Sequence, residues 1–103
     1  MPLSKDGKPI LYKAWVNKGK SKYKYFVYVK TDKNKKGIMK IGFGHKDYQH
    51  YKDKLGYYKH LDHNDMKRRN SYRGRASGIK NKKGEYTYTD KNTANYWAYR
   101  TLW

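Results

Sequence analysis

The chain has 103 residues, of which 26 are Lys or Arg and only 8 are Asp or Glu, so its formal net charge is +18. This length predicts one small domain over residues 1–103, and such an excess of positive charge favours a polyanionic or acidic partner. The absence of Cys excludes disulfide frameworks and thiolate zinc sites, and because no long apolar run is present we expect neither a secretory signal nor a transmembrane span.

Aromatic residues must supply most of the predicted core. Leu, Ile and Val are few, whereas the chain holds 13 Tyr and 3 Trp. Each buried Tyr or Trp can remove roughly 150–250 Å² from water, which compensates for the missing aliphatic side chains. We therefore expect a Tyr-rich domain of marginal stability that is stabilised further when a partner binds its folded state.

The first half of the chain predicts a small antiparallel sheet. Residues 22–30 (KYKYFVYVK) have the composition and the alternation of a strand. Residues 32–37 have turn composition and residues 38–43 (IMKIGF) predict a second strand, so the two strands form a hairpin. Residues 10–16 are predicted to add the third strand that a hairpin needs for stability. The face predicted to be buried carries Tyr23, Tyr25, Val27 and Val29.

The pattern changes after the hairpin. Residues 44–63 show no single period, so we predict an irregular segment with one short helical turn. Asn64 or Asp65 can then cap a basic helix over residues 65–76. Residues 79–90 predict a basic loop or a small hairpin.

A final helix is predicted over residues 93–103, with Asp90, Asn92 or Thr93 as its cap. The elements together predict an α+β fold in which a small Tyr-rich antiparallel hairpin or sheet packs with the basic helix and the C-terminal helix. The predicted strands are about 10–16, 22–30 and 38–43, and the predicted helices are about 65–76 and 93–103.

Basic side chains cluster on the predicted middle helix and in the loop that follows it. They are Lys67, Arg68, Arg69, Arg73 and Arg75 on the helix, and Lys80, Lys82 and Lys83 in the loop. The helical positions surround the helix instead of forming one narrow stripe, which favours contact with phosphates over readout of base edges. We expect nucleic-acid phosphates to be the partner. An acidic protein neighbour and plain solvation are the alternatives.

Tyr and Lys also interleave in several stretches between residues 22 and 91. This interleaving suits base stacking, but in a chain so poor in aliphatic residues we assign the rings chiefly to the core or to a subunit interface. Tyr96, Trp97 and Trp103 of the last helix are the predicted anchors. We expect Trp97 and Trp103 to pack on the predicted buried face of the hairpin.

Four His and four Asp lie between residues 45 and 65. Their spacing matches no closed zinc site, and no phosphate-binding loop or nucleophile motif is present in the sequence. We therefore predict no metal, no cofactor and no enzymatic activity. His60 and His63 are the remaining candidate metal ligands, and a metal-dependent nuclease using them with Asp65 is the least favoured function.

The order of several short motifs points to a family. The motifs are Phe43-Gly44, Asp47-Tyr48, His50 with Lys52-Asp53, Lys67-Arg68-Arg69, Tyr72, Arg75 and the terminal run TANYWAYRTLW. In this order they resemble a family of small basic proteins encoded by tailed bacteriophages, including crAss-like phages, and by large algal DNA viruses. The chain departs from the family pattern by placing Tyr51 between His50 and Lys52, and by a longer loop over 79–90. The resemblance implies a viral origin, a role in the virion and no assigned enzymatic activity.

These observations together predict a non-enzymatic phage or viral structural protein. We expect a minor component of the head or portal vertex that bridges acidic capsid or portal surfaces and packaged double-stranded DNA, in a virion assembled in the host cytoplasm. Its partners would be virion proteins and DNA phosphates, with no membrane and no small-molecule substrate. The alternative is a free DNA- or RNA-binding protein without sequence preference that acts in the infected cell.

Overall fold

The computed structural model describes residues 7, 9–33 and 35–103, and its fold is α+β, as the sequence predicts. Most of the first eight residues of the predicted domain, and residue 34 of the predicted turn, lie outside the described residues. The strands are β1 (Trp15–Val16), β2 (Tyr23–Lys30) and β3 (Ile38–His45), and the helices are α1 (Met66–Ser77) and α2 (Ala94–Thr101). Two short 3-10 turns, Lys59–Leu61 and Thr87–Thr89, precede the two helices.

The three strands form one antiparallel sheet in the order β1-β2-β3. The register of the hairpin places Tyr25 opposite Phe43 and Val27 opposite Ile41. The hairpin turn closes through the Thr31 N–H, which donates to the Gly37 carbonyl at 3.0 Å. The alternation in the sequence therefore predicts both the strands and their pairing.

The predicted strand over residues 10–16 is wrong in its extent, because only Trp15 and Val16 pair antiparallel with β2. Earlier in this segment, Leu11 forms a parallel bridge to Tyr28. Tyr12 has φ 59, so the chain turns there and cannot continue as one extended strand. The composition of the segment does not predict that Tyr12 adopts a left-handed backbone conformation.

The buried face of β2 also differs from the prediction at its first position. Tyr23 is only half-buried, and its ring packs near Phe26 on the opposite face, with centroids 6.1 Å apart. Lys24 and Tyr25 are both buried, so the alternation of the strand breaks here. The break lies near Gly44 of β3, whose φ of +71 is available to glycine without strain.

The core lies on the face of the sheet that α2 covers. Its buried members are Tyr25, Val27, Val29, Ile41, Phe43 and Leu102. Trp97 and Trp103 pack against this cluster, as expected, but both are only partly buried, whereas Leu102 is 2% exposed. Leu102 is therefore buried more deeply in the core than either tryptophan.

Both helices begin at a side-chain cap. Asp65 accepts hydrogen bonds from the Lys67 and Arg68 N–H groups at the start of α1, and Thr93 accepts one from Tyr96 N–H at the start of α2. The second helix ends at Thr101, two residues before its predicted end, because the chain turns there to insert Leu102 into the core.

Replacing Leu102 by Ala should destabilise the fold by about 2–5 kcal/mol, because it removes a buried side chain and leaves a cavity beside Phe43 and Tyr25. Urea denaturation of the full chain measures this change. The matched control is Leu55→Ala, because Leu55 is 42% exposed and its loss should change the free energy of unfolding by about 0.5 kcal/mol or less. Equal losses for the two variants would show that Leu102 does not anchor the core.

Candidate nucleic-acid interface

The helix α1 presents most of its surface to solvent, since Ala76 is its only buried residue. It carries no apolar stripe of its own, so its position depends on its cap and on aromatic contacts made by neighbouring side chains. The chief contact is the ring of Tyr72, which stacks on Trp103 with centroids 4.1 Å apart and planes 9° apart. The basic residues of α1 are therefore displayed on a helix held from one side.

Three of the five predicted basic residues on α1 are exposed. Lys67, Arg68 and Arg75 line a shallow surface groove of about 420 Å³, together with Asp65, Ser71 and Trp103. The Arg68 guanidinium donates to the Gln49 side chain at 2.9 Å. These three cations are brought together on one accessible surface, which we call the α1 groove.

The other two predicted basic residues, Arg69 and Arg73, are packed against protein groups. Arg69 donates through Nε to the Trp103 carbonyl at 2.8 Å, and its guanidinium lies 5.0 Å from the centroid of the Tyr51 ring. Arg73 lies 4.4 Å from the centroid of Tyr99. Half-buried Arg side chains of this kind contribute to packing as well as to charge.

The loop after α1 is a small basic hairpin. A bridge joins Lys80 to Tyr86, and the Asn81 side chain accepts hydrogen bonds from the N–H groups of Lys83 and Glu85. Lys80, Lys82 and Lys83 are all exposed. The structure thus places the three loop lysines in solvent, where a partner can reach them.

The Lys and Arg side chains of the described residues form no ion pairs with carboxylates. Among the described residues, the ion pairs within 4.0 Å are His45 with Asp47 and His50 with Asp62, and no Lys or Arg takes part in one. Surface cations of most proteins are partly offset by nearby carboxylates. Here the few carboxylates form no ion pairs with the Lys and Arg side chains of the described residues, so the net positive charge attracts an external anion.

The predicted anchors on α2 have different environments. Trp97 lies 6.4 Å from Phe43 of the core and donates through Nε1 to the Lys91 carbonyl at 2.8 Å. Tyr96 is half-buried and lies under the Arg100 guanidinium, at 3.8 Å from Cζ to the ring centroid. Trp103 connects the core to α1 through its stacking on Tyr72. All three serve internal packing.

A buried polar network lies between β2 and the segment of residues 46–63. The sequence does not predict it. Lys24 donates through Nζ to the Tyr48 carbonyl at 2.6 Å and to His50 Nδ1 at 2.9 Å. Because an ammonium group only donates, His50 Nδ1 accepts, and its Nε2–H donates to Asp62 at 2.5 Å. This chain fixes His50 as a neutral imidazole with its proton on Nε2.

The network continues through a second buried carboxylate. Asp53 is 2% exposed and accepts hydrogen bonds from the Tyr25 hydroxyl and from the N–H groups of Tyr58 and Leu55, the last two at 2.8 and 2.9 Å. Its own N–H donates to Asp62 at 2.8 Å. The carboxylates of Asp53 and Asp62 thus organise the whole segment around the sheet.

Burial governs the ionisation of this network. Burial lowers the pKa of Lys24 to about 8, against the opposing attraction of Asp53 and Asp62. Burial, followed by the charge of Lys24, also lowers the pKa of His50 below its usual 6.5. Burial alone would raise the pKa of Asp53, but the hydrogen bonds from Tyr25 and from backbone N–H groups outweigh it and lower that pKa. The same contacts, burial first, raise the pKa of Tyr25.

The two candidate metal ligands are separated by their roles in the fold. His60 is exposed, whereas His63 lies between Tyr51 and Trp103 and accepts through Nδ1 from the Asp65 N–H at 2.9 Å. Within residues 7, 9–33 and 35–103, no three His, Asp or Glu side chains are grouped so that they could hold a metal ion. His63 instead packs under the end of the chain.

A second concave surface lies beside the sheet. It is a cleft of about 410 Å³ with largely apolar walls, formed by Tyr23, Phe43, Tyr48, Tyr72 and Trp103 among others. Lys24 and His50 of the buried network also line it. Tyr48 is exposed and stacks on His45 at 4.3 Å between centroids.

No protein-family model, curated protein or solved structure matches this chain. In the part of the chain that the structure describes, no helix has the length and apolarity needed to cross a bilayer. The geometry and charge of the chain itself are therefore the basis of its proposed function.

Three basic residues with defined environments are not predicted as site residues by the sequence. Lys24 alternates with tyrosines in a strand, so the pattern places it on the solvent face. Lys54 and Arg100 belong to no basic run. A signal was present for Arg100, since it follows Tyr96 by four residues on a helix, which is the spacing at which an Arg side chain lies over a ring.

The pH dependence of stability should reveal the buried His50. Its pKa is lowered in the folded chain, so below pH 6.5 the unfolded state binds more protons and the free energy of unfolding falls as the pH falls. The groups facing His50 are Lys24, Asp62 and Asp53. Thermal melts between about pH 7.5 and 5 measure the slope, which His50→Gln should reduce.

The matched control for this experiment is His60→Gln, because His60 is exposed and donates no hydrogen bond to the network. It should leave the slope unchanged. His63, whose pKa is also lowered by burial, should retain a residual slope in the His50 variant. If His60→Gln flattens the profile as much as His50→Gln, the network does not control acid stability.

Proposed function

We propose that this chain is a non-enzymatic protein that binds the phosphate backbone of nucleic acid through the α1 groove. The observation that carries the proposal is the absence, among the described residues, of any ion pair between a Lys or Arg and a carboxylate. Lys67, Arg68 and Arg75 line one accessible groove beside Asp65, and none of the three forms an ion pair with a described carboxylate. Their position on one exposed face of α1 suits contact with backbone phosphates, which does not depend on base sequence.

We further propose that the protein acts as a minor component of a viral particle, at the head or portal vertex, next to packaged double-stranded DNA. The resemblance of its motif order to small basic viral proteins supports this setting. The same uncompensated cations would contact acidic surfaces of capsid or portal proteins. Proteomics of purified particles tests this proposed location. If the protein is absent from the particles, a free DNA- or RNA-binding protein in the infected cell is favoured.

The affinity for duplex DNA should fall steeply with salt and should not depend on sequence. If 6–10 phosphates are neutralised, affinity should drop roughly 10³–10⁵-fold between 50 and 200 mM salt. Fluorescence anisotropy with two duplexes of unrelated sequence measures both properties. An interaction that is insensitive to salt, or that prefers one duplex strongly, would contradict backbone binding.

The α1 groove can be tested apart from net charge. The triple variant Lys67→Gln, Arg68→Gln, Arg75→Gln should reduce the slope of log affinity against log salt by about 0.9 for each lost phosphate contact. The matched control removes the same charge from the hairpin tip, by Lys33→Gln, Lys35→Gln and Lys36→Gln, which are exposed. Equal effects of the two triples would mean that overall charge, and not the groove, determines binding.

A further inference from the structure

Four cations lie around the contact of α1, α2 and the segment of residues 51–54, where they contact Tyr99 or the C-terminal end of α2. They are Lys54, Arg69, Arg73 and Arg100. In the described chain none of the four pairs with a carboxylate. Like charges gathered in this way repel one another, so their convergence needs either a structural reason or an anion.

For two of the four a structural reason is visible. The Lys54 ammonium donates to the Arg100 carbonyl at 2.6 Å, and Arg69 Nε donates to the Trp103 carbonyl at 2.8 Å. These carbonyls lie at the C-terminal end of α2, where a helix leaves its last acceptors unpaired and favours positive charge. Lys54 and Arg69 therefore close the end of this helix.

Arg73 has no such role. Its guanidinium stacks over Tyr99 at 4.4 Å from the ring centroid, but it donates no hydrogen bond to any described residue. The residue is half-buried, and its guanidinium N–H groups have no acceptor among the described residues. A stacked guanidinium with open donors is pre-organised for a planar, two-point contact with a phosphate.

Arg100 approaches the same ring as Arg73. Its Cζ lies 5.9 Å from the centroid of Tyr99 and 3.8 Å from that of Tyr96, and one of its terminal nitrogens donates to the Tyr88 carbonyl at 2.6 Å. Two ring contacts and a hydrogen bond hold this guanidinium in place. Tyr99 thus carries two arginines, one from each helix.

The charges of the group act on one another. Burial, followed by the charges of Arg73, Arg69 and Arg100, lowers the pKa of Lys54. All three arginines therefore lie close enough to Lys54 to disfavour its protonated form. A bound anion would remove this repulsion and raise the pKa of Lys54 again.

We propose that Arg73, Arg100 and Lys54 form a binding site for a phosphate group, with Arg69 as a positioning residue. The site rests on the proposed function in that its natural occupant would be a backbone phosphate of nucleic acid. It lies on the side of α1 that faces α2, and so it is distinct from the α1 groove. The site would hold one phosphate firmly, while the groove neutralises others along the backbone.

The test uses the full chain and inorganic phosphate, with chloride as the balancing anion at constant ionic strength. NMR follows the Lys54 side chain and the Tyr99 ring during the titration. We expect a saturable shift at both residues and a rise in the pKa of Lys54 on binding. Arg73→Gln should weaken the phosphate affinity by about tenfold or more, because it removes a charge-assisted contact.

Two further variants separate the contact from charge and from folding. Arg73→Lys keeps the charge but loses the planar fork, so it should bind phosphate with intermediate affinity. Lys36→Gln removes one charge at the exposed hairpin tip and should bind as the parent chain does. A wild-type titration that does not saturate at Lys54 and Tyr99, or equal affinities for Arg73→Gln and Lys36→Gln, would overturn the site.

The failure of this site and that of the proposed function give different results. If phosphate saturates the site but the chain does not bind duplex DNA, the phosphate site is supported and the proposed nucleic-acid binding is contradicted. The opposite result has two parts: the phosphate titration does not saturate, and Arg73→Gln and Lys36→Gln reduce the steep salt dependence of DNA binding equally. In that case the phosphate site is contradicted and the proposed nucleic-acid binding is supported.

Discussion

The buried carboxylate of Asp53 is the interaction on which the rest of the fold depends. This carboxylate accepts hydrogen bonds from the Tyr25 hydroxyl in the core and from the N–H of Tyr58 in the irregular segment. The backbone N–H of Asp53 donates to the carboxylate of Asp62. Asp62 in turn holds His50, which contacts the buried Lys24. Buried charged groups are costly unless fully hydrogen-bonded, so this arrangement specifies one position for the segment.

The backbone on either side of Asp53 forms hydrogen bonds with the last residues of the chain. The N–H groups of Lys52 and Lys54 donate to the carbonyls of Leu102 and Thr101, each at 3.1 Å. The segment organised by Asp53 therefore also receives the C-terminal turn of α2, from which Leu102 enters the core. With the carboxylates of Asp53, Asp62 and Asp65 engaged in the interior or in a helix cap, few acidic groups remain to neutralise the surface. The excess of cations is set by the composition, with 26 Lys and Arg against 8 Asp and Glu, and the placement of these three acids adds to it at the surface.

The sequence predicts the parts of the fold that depend on local pattern. The alternation in residues 22–30 and 38–43 and the caps at Asp65 and Thr93 give the hairpin and both helices within a few residues. It does not predict what depends on long-range contacts, such as the burial of Lys24, which requires Asp62 and His50 from another segment.

The sequence likewise predicts only part of the candidate site. The basic run on α1 is visible in the sequence, and three of its members do form an accessible groove. That Arg69 and Arg73 turn toward tyrosines could not be predicted, because Tyr51 and Tyr99 lie far from them in the chain. Arg100 and Lys54 join them only through the packing of α2 against the irregular segment.

The central claim is that the interior holds the fold while the surface cations stay uncompensated, and the salt dependence of stability tests it most directly. In the absence of any polyanion, the melting temperature should rise as sodium chloride is increased from about 10 mM to 1 M, because the Debye length falls from about 30 to 3 Å and repulsion is screened. The neutralised hairpin-tip triple should show a smaller rise. A melting temperature that falls over this range would show that surface ion pairs hold the fold, and would contradict the account.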